Sequence, residues 1–342
     1  MRSLLRPAAG FTCVFALATA GCSAGPKQTA ADASPGVTAD VSPSATADAS
    51  SSVTAYAPYV SATEASANDS SGSPSTYNLA FVISDGSDCT PRWNGEDAIA
   101  DAAVKARISR LTADGGTVRV SFGGASGKEL ATTCDSVSKL AAAYGTALDA
   151  AGSSQADFDI EGDELTDADT VALRSEAIAA LQKERPDLEV SFTLPVMPSG
   201  LDSDSLALLE SANTYDVQVS TVNLMTMNYG ESYAGDMGDY ALTSAKAAHT
   251  QLEKVFGLSA AGAWQGMALT SMIGVNDVAG ETFTLSDAAQ VRTFAEEKEI
   301  AWVSMWSTFR DQQCAKGSGS DAATDCSGVK QSSGAFGEAL AG

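Results

Sequence analysis

The chain has 342 residues, 43 of them acidic against 20 basic, for a formal net charge of −23. That field disfavours duplex nucleic acid and anionic membrane surfaces as partners and leaves a neutral polymer unaffected. A single histidine, His249, lies in a stretch that reads as a helical surface, and no nucleophile motif stands near it, which argues against Ser-His-Asp and Cys-His chemistry.

At the N-terminus, Arg2 and Arg6 precede an apolar run over residues 11–18, the pattern of an export signal and too short to span a bilayer. The run ends in Thr19-Ala20-Gly21-Cys22, which resembles a bacterial lipoprotein cleavage box with Cys22 as the lipidated residue. Plain secretion is the alternative, because an aliphatic residue is usual where Thr19 stands. Residues 1–22 are therefore read as the signal, and the protein as extracellular, either free or held on the outer face of the cell membrane. Residues 23–52 are almost entirely Ala, Ser, Thr, Asp, Pro and Val without periodicity, a disordered tether that cannot bury enough apolar surface to order itself. Four cysteines remain beyond the signal, Cys89, Cys134, Cys314 and Cys326. An even number in an exported chain implies two disulfides. No CxxC pair is present and His249 is isolated, so neither a metal site nor a cofactor is expected.

Residues 53–342 read as one domain. Strand patterns fall at residues 56–60, 77–83, 118–122, 156–161, 189–196, 222–229, 267–273 and 301–306. Helical stripes lie between several of them, at residues 98–111, 136–151, 167–185, 242–256 and 287–298. Eight alternating units predict an α/β fold, a closed (β/α)8 TIM barrel. The weak place is the first connection, residues 61–76, where Ser, Asn, Gly and Pro replace a helix. No strand is followed by a glycine-rich phosphate loop, which disfavours an open nucleotide-binding sheet.

The fourth strand carries Asp157-Phe158-Asp159-Ile160-Glu161. Alternation puts three carboxylates on one face and Phe158 and Ile160 on the other. Locally, this fits either a solvated acidic edge or a site that uses the charges. Barrel strands carry their chemistry at their C-terminal ends. The third strand there runs into Ser121-Phe122-Gly123-Gly124, the sixth into Met227-Asn228-Tyr229 and the eighth into Met305-Trp306.

Together these motifs resemble the chitinases of glycoside hydrolase family 18, in particular the compact bacterial members. The family's Ser-x-Gly-Gly, its Asp-x-x-Asp-x-Asp-x-Glu, its Met-x-Tyr and its eighth-strand tryptophan appear in order. Two departures stand out: the first acidic position falls on Ser154, and Gly230 follows Tyr229 where many members carry Asp. The resemblance implies hydrolysis of β-1,4 bonds between N-acetylglucosamine units with retention, the substrate's own acetamido group serving as nucleophile. In it Glu161 is the acid, Asp159 holds the acetamido N–H, and Tyr229 holds the acetamido oxygen. Asp157 shares a proton with Asp159, and Ser121 bonds into that pair. Gly123 and Gly124 leave room for the pair and the sugar, Trp306 is the floor, and Met227 packs beside it. Tyr59 can line the sugar site or close the barrel. Trp93 and Tyr233 are candidates for outer subsites or surface packing, and residues 195–198 for a groove wall. The strand order also suggests Cys89–Cys134 and Cys314–Cys326 as the pairs, although four cysteines allow three pairings. The expected partners are chitin or N-acetylglucosamine oligosaccharides, with no nucleic acid and no membrane contact beyond the lipid, and a monomeric state. An endo-β-N-acetylglucosaminidase acting on N-glycan cores and a non-catalytic chitin-binding lipoprotein are the alternatives.

Overall fold

The computed structural model describes residues 54–315 and 325–342. The expected signal, Cys22 and the linker lie outside the described residues.

Eight strands form the parallel barrel. Strand β1 is broken into Ala55–Tyr56 and Tyr59–Ser61; β2 is Thr76–Ser84, β3 Thr117–Gly123 and β4 Gln155–Asp159. Strands β5 (Glu189–Pro195), β6 (Val219–Met225), β7 (Met267–Met272) and β8 (Trp302–Trp306) complete it. Closure falls at the break in β1: its first piece pairs with β8 and its second with β2. Pro58 sits in that break, where its missing N–H removes a ladder donor. Seven helices follow β2 to β8: α1 (Ala102–Leu111), α2 (Val137–Ala151), α3 (Ala168–Glu184), α4 (Ser203–Thr214), α5 (Met237–Phe256), α6 (Leu285–Lys298) and α7 (Ala335–Ala341). The first crossover is helix-free, as its composition indicated.

Two helices carry no readable apolar stripe in the sequence. Helix α4 buries only Ser205, Leu208, Leu209 and Ala212, and it is started by Asp202, whose carboxylate accepts from Ser205 N. Helix α7 is a single short segment whose Phe336 and Gly337 amides are held by buried Asp311. Helix α5 begins five residues before its stripe, capped by Asp236. Its His249 is not a surface residue: the ring is buried and stacked 4.0 Å from Trp264, on the short helix Ala260–Gln265 that packs against α5. Trp93 is likewise not exposed. It lies fully buried in a small antiparallel extension of β2, its indole donating to Ile99 O.

Outside the barrel the strands present apolar faces to the helices. Phe122, Phe158 and Phe192 pack in a row with Tyr144 of α2, so Phe158 and Ile160 are buried on the side away from the carboxylates. Cys89 is bonded to Cys134 and Cys314 to Cys326.

Among the described residues one ion pair is wholly buried. Glu129, after β3, accepts from Arg174 Nε and Nη2 of α3 at 3.0 and 2.8 Å and from the Tyr144 hydroxyl. Its backbone N donates to Glu164, behind the acidic strand. Removing one member of such a pair leaves an uncompensated charge. Glu129→Ala is therefore expected to destabilise the fold by about 3–5 kcal/mol, and the double replacement E129L/R174M to recover most of that. Urea unfolding of both variants measures it.

Candidate active site

A chain of hydrogen bonds runs through the barrel interior. Thr270 donates to Asn223, Asn223 to Thr193, and Thr193 to Asp157. Asp157 also accepts from Ser191 at 2.8 Å, Ser121 at 2.6 Å and the Tyr59 hydroxyl at 2.9 Å. Its two oxygens thus receive four hydroxyl donors, the full capacity of a carboxylate. This corrects the expectation that Asp157 shares a proton with Asp159, because every acceptor position is filled from another side. Tyr59 both closes the barrel and lies beneath the site, and burial pushes its phenol well up.

Asp159 sits one layer higher, 5% exposed, and is hydrogen-bonded to Glu161. Burial raises the Asp159 carboxyl well above the usual range, with the charges of Glu161 and Asp157 adding to it. Glu161 is raised to about 7, mainly by burial, against the lowering effect of the Asp159 bond. Glu164 and Asp277 add negative charge that pushes it the same way. The arrangement is one proton on Asp159 donated to Glu161, with Asp159 Oδ1 buried and unpartnered.

The two carboxyls open into a cavity of about 100 Å3 lined also by Tyr59, Phe81, Thr193, Met225, Met227, Asn228, Thr270, Asp277 and Trp306. Trp306 and Phe81 stack with centroids 5.5 Å apart, giving a two-ring floor. From that floor a wider depression extends past Thr63, Glu64, Asn94 and Phe309. Another extends from Glu161 and Ala125 past Lys128, Asp163 and Thr170. The cavity therefore lies at the middle of a longer surface trough.

Four expected residues stand elsewhere than foreseen. Tyr229 does not line the cavity. Strand β6 ends at Met225, and Asn228 turns into the left-handed region at φ 54°, which sends the Tyr229 ring among Tyr233 and Tyr240, with its buried hydroxyl unpartnered near Ser244 of α5 and Thr226. Tyr233 shares that cluster and is no subsite residue. Gly123 and Gly124 serve the scaffold rather than the sugar: a Cβ on Gly123 would strike the Asp159 carbonyl, and one on Gly124 would meet the Phe81 ring at 2.9 Å. Ser121 is under Asp157, and Met227 and Trp306 line the cavity. Residues 195–198 line none of these depressions. Ser154 lies exposed before β4, at the end of the strand away from the cavity, so the missing carboxylate there touches none of these groups.

Sequence reasoning missed Phe81, Met225, Asn228 and Asp277. Asn228 and Asp277 are joined reciprocally: Asn228 Nδ2 donates to Asp277 Oδ2 at 3.2 Å, and Asp277 N donates to Asn228 Oδ1 at 3.1 Å. An Asn before Tyr-Gly is a readable signal for a left-handed turn; Phe81 and Asp277 carry no local signal.

A parallel (β/α)8 barrel with paired buried carboxyls at the C-terminal ends of its strands and an aromatic floor is the architecture of a glycoside hydrolase. No protein-family model matches the chain. It is 33% identical over 275 residues, 75% of its length, to a probable bifunctional chitinase/lysozyme of Escherichia coli, of which that match covers 31%. It is 32% identical over 274 residues to Endochitinase 11 of Metarhizium anisopliae, covering 75% of this chain and 52% of that one. The chain thus spans about a third and about half of these relatives. Among solved structures, the catalytic domain of a hyperthermophilic chitinase from Pyrococcus furiosus superposes with a TM-score of 0.74 at 28% identity, over 84% of this chain and 94% of that one. A family 18 chitinase from Chromobacterium violaceum shares the fold, with a TM-score of 0.52 at 15% identity over 74% and 78% of the two chains. Over three quarters of its length the chain is thus similar to chitinases, and it shares its fold with chitinases of glycoside hydrolase family 18.

The position of Tyr229 sets an expectation. Removing a transition-state donor costs about 10²–10³-fold in kcat; Tyr229→Phe, whose lost hydroxyl faces α5, is expected to change kcat by less than about 3-fold on that scale. Steady-state hydrolysis by the variant beside the wild type reads this directly.

Proposed function

We propose that the protein hydrolyses β-1,4 bonds between N-acetylglucosamine units, with retention and with the substrate's acetamido group as the nucleophile. The observation that carries the reading is the Asp159–Glu161 pair in a small cavity over the Trp306–Phe81 floor. The cavity suits one substituent of a sugar, while the aromatic floor suits the C–H face of its ring.

In the first step the acetamido carbonyl oxygen bonds to the anomeric carbon. The glycosidic C–O bond breaks, and Glu161 gives its proton to the departing oxygen. Asp159 passes its proton to Glu161 as it turns from that residue to the acetamido N–H, for which its buried, unpartnered Oδ1 is fitted, and the negative charge left on Asp159 balances the cationic ring that forms. In the second step Glu161 takes a proton from water as that water's oxygen bonds to the anomeric carbon, the ring opens, and retained product leaves. Asp157 stays fixed beneath by its four hydroxyl donors. Oligosaccharides of the chitin series are the substrates this reading favours, with N-glycan cores as the second choice for the same chemistry. Export by residues 1–22 and lipid attachment at Cys22 belong to the same proposal, and mass spectrometry of the mature N-terminus tests them.

Glu161→Gln keeps the shape and loses the proton. Hydrolysis of chitotetraose should fall by about 10²–10⁴-fold, the usual weight of a general acid, with binding kept; an undiminished rate would remove Glu161 as the acid. Since Glu161 is raised to about 7, it is protonated below that pH and ionised above it. The kcat/KM profile should therefore be sustained on the acid side and fall as pH rises through about 7. Replacing Asp277 by Asn removes a charge that raises this group, so the falling limb should move to lower pH in a profile measured side by side.

A further inference from the structure

With Tyr229 outside the cavity, the reading above leaves the acetamido oxygen without its expected donor. The hydroxyl donors that line the cavity are already committed: Tyr59 and Thr193 to Asp157, and Thr270 to Asn223. Asn228 differs. One N–H of its amide is directed to Asp277, and the other meets only Met272 Sδ, at 4.0 Å. The amide is held in one orientation from both ends, because Asp277 N donates to its carbonyl. The turn beneath it is fixed as well: buried Glu281 accepts from Gly230 N at 2.8 Å and faces the backbone N–H groups of Asn228 and Tyr229. Such fixing is what holds a non-glycine residue at φ 54° beside a site. Asn228 stands three residues beyond β6, two strands round the barrel from Asp159 on β4, and both line the same cavity.

We propose that Asn228 Nδ2–H is the donor that holds the acetamido carbonyl oxygen under the anomeric carbon, with Asp277 as the residue that orients it. The inference rests on the chitinase reading above. The cavity then divides the acetamido group between two walls: Asp159 receives its N–H and Asn228 gives to its oxygen. Met227 supplies only apolar surface on the β6 wall. The contact acts by positioning: it keeps that oxygen in line for attack, and it is released as the oxygen gives its electron pair to carbon.

The test separates a donor from a backbone role. Asn228→Gly accepts positive φ without strain and carries no donor, while Asn228→Ala lacks the donor and is strained. Both variants and the wild type are assayed on chitotetraose for kcat and KM, and binding of chitotetraose is measured by calorimetry in an E161Q background. The expected result is a loss of about 10²-fold in kcat for both variants, the weight of a misplaced reacting group, with KM and binding changed only a few-fold. N228G within about 3-fold of wild-type kcat, where a lost donor costs far more, would overturn the inference, since the residue would then matter only for its backbone. Loss of binding in step with activity would overturn it too, by marking a collapsed cavity. No turnover by the wild type would overturn the chitinase reading itself and this inference with it, so the two failures are distinct.

Discussion

Everything at the mouth of this barrel depends on Asp157 being satisfied from below. A buried carboxylate is costly unless every lone pair is used, and here four hydroxyls from three strands, one each from β1 and β3 and two from β5, fill its acceptor positions. Because Asp157 takes nothing from above, Asp159 has only Glu161 as a partner and keeps a buried oxygen free. Two acidic groups two residues apart therefore have different fates. One is a fixed element of the scaffold, and the other is a group with unfinished hydrogen bonding that faces the cavity. The polar interior of the barrel is the physical means of that difference, and it explains why Thr193, Asn223 and Thr270 are buried in place of aliphatic residues.

Much of this was legible in the chain. Each of the eight strands overlaps the stretch that alternation and apolar runs mark, although the first is broken and the sixth stops at Met225, and of the acidic triplet Asp157 and Asp159 end the fourth strand with Glu161 just beyond it. What failed was register beyond a strand end. Residues 222–229 look like one continuous strand because Met225, Met227 and Tyr229 alternate with polar residues. The ladder nevertheless stops at Met225, and three residues later the backbone is left-handed. A period-2 pattern reports faces only while the strand continues, so the motif Met-x-Tyr was spelled correctly and placed on the wrong side of a turn. The two glycines after Ser121 misled in a related way. Their space is taken by the Asp159 carbonyl and Phe81, contacts between strands that no local pattern encodes.

The remaining site residues come from segments remote in sequence. Phe81 lies in a strand whose apolar run gives no hint that one ring faces the mouth, and Asp277 belongs to a connection between β7 and α6. Such residues become visible only once the closed barrel fixes which strand ends are neighbours. The resemblance to known chitinases supplied roles, but the geometry decided which side chains are in place to fill them.

The short hairpin formed by Gly274–Val275 and Thr282–Phe283 carries both Asp277 and Glu281 between its arms or at their edge. One carboxylate touches the Asn228 side chain and adds charge near Glu161, and the other holds the backbone of the same turn. Acidity of the proton donor and shape of the cavity wall are thereby written on a single peripheral loop that shares no barrel hydrogen bonds with β4. A library confined to that loop could shift working pH and substituent preference together while the eight strands and their buried polar interior stay untouched.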